Sequence, residues 1–169
     1  MTRVLVPIDG SANALHAVRH VAAEARSGAA IEVDLLNVQP SLPRHIAQFV
    51  SAADRRAFLQ ERAEQALQGA RDLLERCGLP CRTHTAIGAK ADHIADCARR
   101  LGCDRIVLST RRKSALLRLF EPSTTNGVIE RTSVPVVVIA GDDATALERY
   151  GVPVGVGTAL AGVLVAAAE

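Results

Sequence analysis

The sequence predicts a doubly wound α/β domain, five parallel strands in one sheet with helices on both faces. Two patterns carry that prediction. Short Val/Leu/Ile-rich runs alternate strictly with amphipathic helical stretches along residues 3–140, and strands separated by helices must pair in parallel through right-handed crossovers. The composition agrees: 49% apolar and 22% charged residues in a chain of 169 suit one globular domain with a sizeable core.

The first strand is Arg3 to Ile8 (RVLVPI), an apolar run broken by the turn Asp9-Gly10-Ser11. A helix follows, capped by Ser11 or Asn13. Ala14, Leu15, Val18, Val21, Ala22 and Ala25 recur at helical spacing until Ser27-Gly28. Ile31 to Val38 (IEVDLLNV) is the second strand, and residues 40–43 form a loop. From about Ala52 to Cys77 a long amphipathic helix places Ala57, Phe58, Ala63, Ala66, Leu67, Ala70, Leu73 and Leu74 on one face and stops at Gly78. Cys81 to Ile87 is the third strand, Ala91 to Leu101 a helix closed by Gly102, and Asp104 to Ser109 the fourth strand. Ser123 to Arg131 is a short helix. Pro135 to Ala140 (PVVVIA), the most β-prone run, closes the domain.

Twenty basic against eighteen acidic residues leave a net charge of +2, too little to drive phosphate-backbone binding. DNA is therefore not an expected partner. Three Phe, one Tyr and no Trp leave no base-stacking platform. Cys77, Cys81, Cys97 and Cys103 are too few for a disulfide scaffold, and their C-x3-C and C-x5-C spacings fit neither zinc nor a redox pair. We expect a cytoplasmic protein with reduced, packed thiols and no signal sequence. His16, His20 and Glu24 share one helix face at i, i+4, i+8, but no third strong ligand completes a metal set, so no metal is expected. No nucleophile elbow or Cys-His signature appears, and the chain is read as a non-enzyme, with a slow ATPase as the remote alternative.

Ligands of such sheets bind outside the carboxyl ends of the strands, where the strand order reverses. That directs attention to Asp9-Gly10-Ser11, to Val38, and to the loop after strand four, residues 109–122. An uncharged β-branched edge strand such as Pro135, Val136, Val137, Val138 and Ile139 invites pairing with another chain. We expect a homodimer through that strand, or else residues after Gly141 folded over it. Residues 141–169 form an apolar extension beyond the domain of residues 1–140. Its uncharged stretch 151–168 contains Pro153 and many Gly and Ala residues. We expect it to pack on the domain or exchange with a partner subunit, a membrane anchor being the less favoured option.

The V-P-I-D-G-S end of strand one, the block G-A-K-A-D-H-I-A-D-C-A-R-R-L-G-C-D-R-I-V-L-S-T and the closing T-S-V-P-V-V-V-I together resemble the universal stress protein family over residues 2–140. The resemblance implies the adenine nucleotide alpha hydrolase-like fold. It places Pro7 and Asp9 at adenine and ribose contacts, and Val38 at an adenine contact. In the nucleotide-binding branch, the loop after strand four carries G-x2-G-x9-G-[ST]. Here those glycine positions hold Ser109, Arg112 and Pro122, followed by Ser123 and Thr124 at a helix start. Pro122 lacks an N–H for phosphate, and Arg112 fills space. Asp9 also has a structural role open to it, as a helix-capping carboxylate.

Two functional readings follow. In the first, the chain is a homodimeric stress-response protein that acts by interaction with protein partners and does not depend on ATP, so no cofactor is expected. In the second, ATP or another adenine nucleotide is held by Pro7, Asp9, Val38, Ser109, Arg112, Ser123 and Thr124, helped by the basic segment Thr110 to Arg118.

Overall fold

The computed structural model describes residues 1–43, 49–112 and 124–143. In chain order these form β1 (Thr2–Pro7), α1 (Ala14–Arg26), β2 (Ile31–Gln39), α2 (Ala52–Arg76), β3 (Cys81–Ile87), α3 (Lys90–Leu101), β4 (Arg105–Arg112), α4 (Thr124–Arg131) and β5 (Val136–Asp143). The sheet order is β3-β2-β1-β4-β5, and every neighbouring pair is parallel. From β1 the chain builds outward to β3, then returns to lay β4 on the other side of β1. The strand order therefore reverses between β1 and β4.

Side chains of successive strand residues pass to opposite faces, and both faces are buried. Val4, Val6, Val33, Leu35 and Val107 pack with α1 and α2, against Val18, Val21, Leu67 and Leu74. Leu5, Leu36, Val38, Ile106 and Leu108 pack with α3 and α4, against Ile94, Ala98 and Val128. This two-sided core explains why the strands read as continuous apolar runs.

Each helix lies close to its predicted place. The α1 cap belongs to Ser11, whose hydroxyl accepts the Ala14 N–H at 3.2 Å, while the Asn13 side chain makes no cap bond. In α2, Ser51 accepts the Asp54 N–H at 3.1 Å. Its buried face runs through Leu59, Ala63, Leu67, Ala70 and Leu74. Phe58, expected on that face, is 46% exposed because Leu59 takes the inward position. Helix α3 ends where Gly102 turns left-handed (φ +63°) and the Cys103 N–H closes on the Ala98 carbonyl at 2.9 Å.

Two strands run further than their apolar runs suggest. β4 continues through Thr110 and Arg111 to Arg112, and β5 continues past Ala140 to Asp143, the two pairing at Thr110↔Ala140 and Arg112↔Asp143 around an irregularity in register. Arg112, expected in a loop, therefore belongs to a strand, as Ser109 was expected to: the partner strand satisfies the backbone regardless of side-chain polarity. Pro122, Ser123, most of the basic segment and the whole stretch 151–169 lie outside the described residues.

One charged group is fully buried in this core. Asp34 of β2 has no exposed surface. Its carboxylate accepts Arg3 Nε at 2.8 Å and meets His84 Nε2 at 2.7 Å. Arg3 also donates to the Leu101 carbonyl at 2.8 Å, and its backbone N–H donates to Asp104 at 2.7 Å. Asp34 thus ties β1, β2 and β3 to the end of α3 and the start of β4. Burial pushes its carboxyl pKa up, but the bonds from Arg3 and His84 outweigh that and hold it below the ordinary 3.8.

Asp34→Ala should leave the Arg3 guanidinium without its buried counter-charge and cost about 3 kcal/mol, read as a lower urea midpoint at unchanged slope. Because the folded-state pKa is depressed, the stabilisation from Asp34 is complete above the ordinary value of 3.8 and disappears as pH falls below it. Urea titrations across that acid range should show the wild type losing stability more steeply than Asp34→Asn; parallel profiles would contradict this role.

Candidate functional site

Hydrogen-bond alternation in β1 determines where the sheet opens. The N–H groups of Thr2 and Ile8 donate to Ala30 and Leu36 carbonyls on the β2 side, both at 2.8 Å. The intervening odd-numbered residues therefore face β4, as shown by Asp104 N–H donating to the Arg3 carbonyl at 2.9 Å. Pro7 occupies an odd position and has no N–H to give. Pairing of β1 with β2 runs to Pro7↔Leu36, whereas pairing with β4 covers only Val4↔Arg105 and Leu5↔Ile106. Beyond Leu5, β4 stays with β5, and a crevice forms at the reversal of strand order.

A cavity of about 100 Å³ occupies this crevice. Its apolar walls are Ile8, Leu36, Val38, Ile94 and Leu108, and its rim carries Asp9, Ser11, Asn13, Lys90, Thr124 and Thr125. Val38 is nearly buried, at 8% exposure. Two polar atoms of lining residues, Ser109 Oγ and Asn13 Oδ1, are buried and have no hydrogen-bond partner among the described residues. Such atoms are uncommon in folded proteins and call for a specific explanation.

The turn after β1 fixes the most polar wall. Asp9 Oδ1 accepts the Ser11 N–H at 3.0 Å and the Ser11 hydroxyl at 2.6 Å, and the same hydroxyl caps α1. Asp9 thus shapes the turn through Ser11 rather than capping the helix itself. Both bonds fall on Oδ1, leaving Oδ2 for another donor. Burial raises the Asp9 pKa, yet the two Ser11 bonds and the nearby Lys90 ammonium outweigh it and hold the carboxyl below 3.8. Asp9 is a fixed anion at neutral pH. Gly10 serves this turn in two ways: its φ of +84° suits glycine, and a Cβ there would lie 3.1 Å from the Ala66 Cβ of α2.

Pro7, Asp9, Val38, Ser109 and Thr124 therefore come together around one cavity. Arg112 ends β4 with its side chain outside the described residues, and Ser123 lies outside them as well. Lys90, Asn13, Ile94, Leu108 and Thr125 are lining residues that sequence reasoning passed over. Lys90 carried a usable signal: it opens a helix directly after the third strand, at the carboxyl edge of the sheet.

A second, polar lobe of about 430 Å³ adjoins the first and shares Asp9, Val38 and Lys90 with it. Among the described residues the remaining candidates come together with no further ligand. His20 does approach Glu24, at 3.7 Å, but Glu24 is engaged by both Arg105 amino groups at 3.2 and 2.6 Å. Cys97 and Cys103 are buried and Cys77 and Cys81 half-buried, all free thiols. Burial, followed by Asp34, pushes Cys103 up to about 11, which removes it as a nucleophile at neutral pH. No helix among the described residues is long and apolar enough to cross a membrane.

A sequence model of the universal stress protein family matches residues 1–140. The universal stress protein MJ0531 of Methanocaldococcus jannaschii is 27% identical over 142 residues, which cover 81% of each chain. Among solved structures, the hypothetical protein MJ0577 superposes with a TM-score of 0.69 at 26% identity, over 85% of this chain and 98% of its own. A universal stress protein in complex with cAMP gives 0.63 at 20% identity, over 82% and 96% of the two chains. A universal stress protein family member of Arabidopsis thaliana with AMP bound gives 0.60 at 17%, over 92% and 97%. These last two share the fold. With the family model spanning most of its length, the chain belongs to the universal stress protein family.

Proposed function

We propose that this chain is a homodimeric stress-response protein that acts through protein partners, and that its crevice accepts an adenine nucleoside without depending on a triphosphate. The cavity between β1 and β4 carries the nucleoside part. Leu36, Val38, Ile94 and Leu108 offer apolar walls to a purine, and ionised Asp9 offers Oδ2 to ribose hydroxyls. The unpartnered Ser109 Oγ and Asn13 Oδ1 supply polar groups for the ligand's edges. Structures of the same fold that hold cAMP and AMP are consistent with this use of the crevice.

The triphosphate is a different matter. Positions 109, 112 and 122 hold Ser, Arg and Pro, and the backbone at Ser109, Thr110 and Arg112 runs alongside β5 as a strand. Backbone committed to a ladder does not form the open nest of N–H groups that wraps a phosphate chain.

The dimer part rests on the contrast between the two sheet edges. β3 (CRTHTAI) is polar, with Arg82 and His84 in its middle, whereas residues 136–140 of β5 carry no charge and Val138 is 41% exposed. A bare edge of the second kind is a template for pairing with its own copy.

Titration calorimetry should give AMP and ATP affinities within about threefold of each other, and Asp9→Ala should weaken both by about tenfold. ATP binding at least about tenfold tighter than AMP would instead indicate that the basic segment clamps the triphosphate. Val138→Lys should convert the dimer to monomer in sedimentation velocity; an unchanged dimer would move the interface elsewhere.

A further inference from the structure

We propose that the polar lobe beside the nucleoside cavity is a phosphoryl subsite, so that a bound nucleotide directs its phosphate toward β2 and α2 rather than toward the segment after β4. This rests on the nucleoside reading of the first cavity. The lobe opens from that cavity across Asp9, Val38 and Lys90. Among the described residues two cations line it, Lys90 at the start of α3 and Arg62 on α2, with Asp9 as the one carboxylate. Neither cation forms an ion pair at hydrogen-bonding distance among the described residues.

The surroundings hold these groups in place. The Arg62 guanidinium lies 5.7 Å from the Phe58 ring centroid, one helical turn back, which gives the exposed Phe58 side chain a positioning role. Arg62, Gln65 and Ala66 of α2 line the lobe beside the packed row of Leu59, Ala63 and Leu67. The floor is a pinned amide relay in which Asn37 donates to the Ile8 carbonyl at 2.7 Å and Gln39 donates to Asn37 Oδ1 at 2.8 Å. Asn37 and Gln39 are only 1% and 8% exposed. A polar cavity with an amide floor, two cations and one carboxylate among its described residues suits a compact anion, and guanidinium and ammonium groups recognise phosphoryl oxygens directly. Lys90 faces both lobes and offsets repulsion between Asp9 and the incoming phosphate.

The test compares adenosine with AMP on the full chain and on Arg62→Gln and Lys90→Gln, by calorimetry and by amide shifts in ¹H–¹⁵N spectra. In the wild type, AMP should bind at least about tenfold tighter than adenosine. Arg62→Gln should remove about fivefold or more of that advantage while leaving adenosine within about twofold, since Arg62 lines only the polar lobe. An AMP advantage that survives in both variants overturns the subsite. Should adenosine fail to bind at all, the nucleoside reading fails separately, and pyrophosphate alone decides the lobe. Shifts at Gly10, Gln65 and Lys90 that vanish in Arg62→Gln support it, and absence of those shifts in the wild type overturns it.

Discussion

At Pro7 the first strand presents a ring carbon where the next rung toward β4 needs an N–H donor. The functional geometry of the molecule depends on that missing rung. Because β1 remains paired to β2 through Leu36 while its ladder to β4 stops at Leu5, the sheet parts only at its carboxyl edge and only at the reversal of strand order. The resulting crevice is lined by apolar side chains that would otherwise lie beneath a continuous sheet. Asp9, two residues beyond Pro7, arrives at its mouth with its charge already fixed by Ser11 and Lys90.

An opening at one end needs a closure at the other. The Arg3–Asp34–His84 cluster and the reciprocal Arg3–Asp104 bonds bind β1, β2, β3 and the start of β4 at positions toward the amino ends of the central strands. Replacing such a buried ion cluster by apolar residues is often neutral for stability, whereas removing one partner is costly because it leaves a buried charge uncompensated. Here the cluster holds β1 and β4 together over the short stretch where they pair, so the splay beyond Leu5 does not spread into the core.

The fold was legible in the sequence because nearly every element announces itself twice, by an apolar run and by a punctuating residue. Gly78 and Gly102 close their helices, and Asp9-Gly10-Ser11 ends β1. The strand ends were less legible: Thr110, Arg111 and Arg112 look like loop, yet β5 supplies their backbone partners. Phe58 and Leu59 show the limit of periodicity, since adjacent apolar residues leave the helix phase open until packing selects one. At the site, the family motif located Pro7, Asp9 and Val38. Lys90 had a signal in its place at a helix start after β3, whereas Arg62 was not legible, because a single cation on a long helix reaches the site only once α2 has packed on the sheet. Asp34 was hidden for a similar reason: its partners lie 31 and 50 residues away.

The most direct measurement is a crystal structure of the chain grown with saturating AMP. The account predicts the adenine ring between Val38 and Leu108, the ribose within hydrogen-bonding distance of Asp9, and β1 still parted from β4 beyond Leu5. A structure in which the nucleotide sits elsewhere, or in which the strands close over an empty crevice despite saturation, would contradict it.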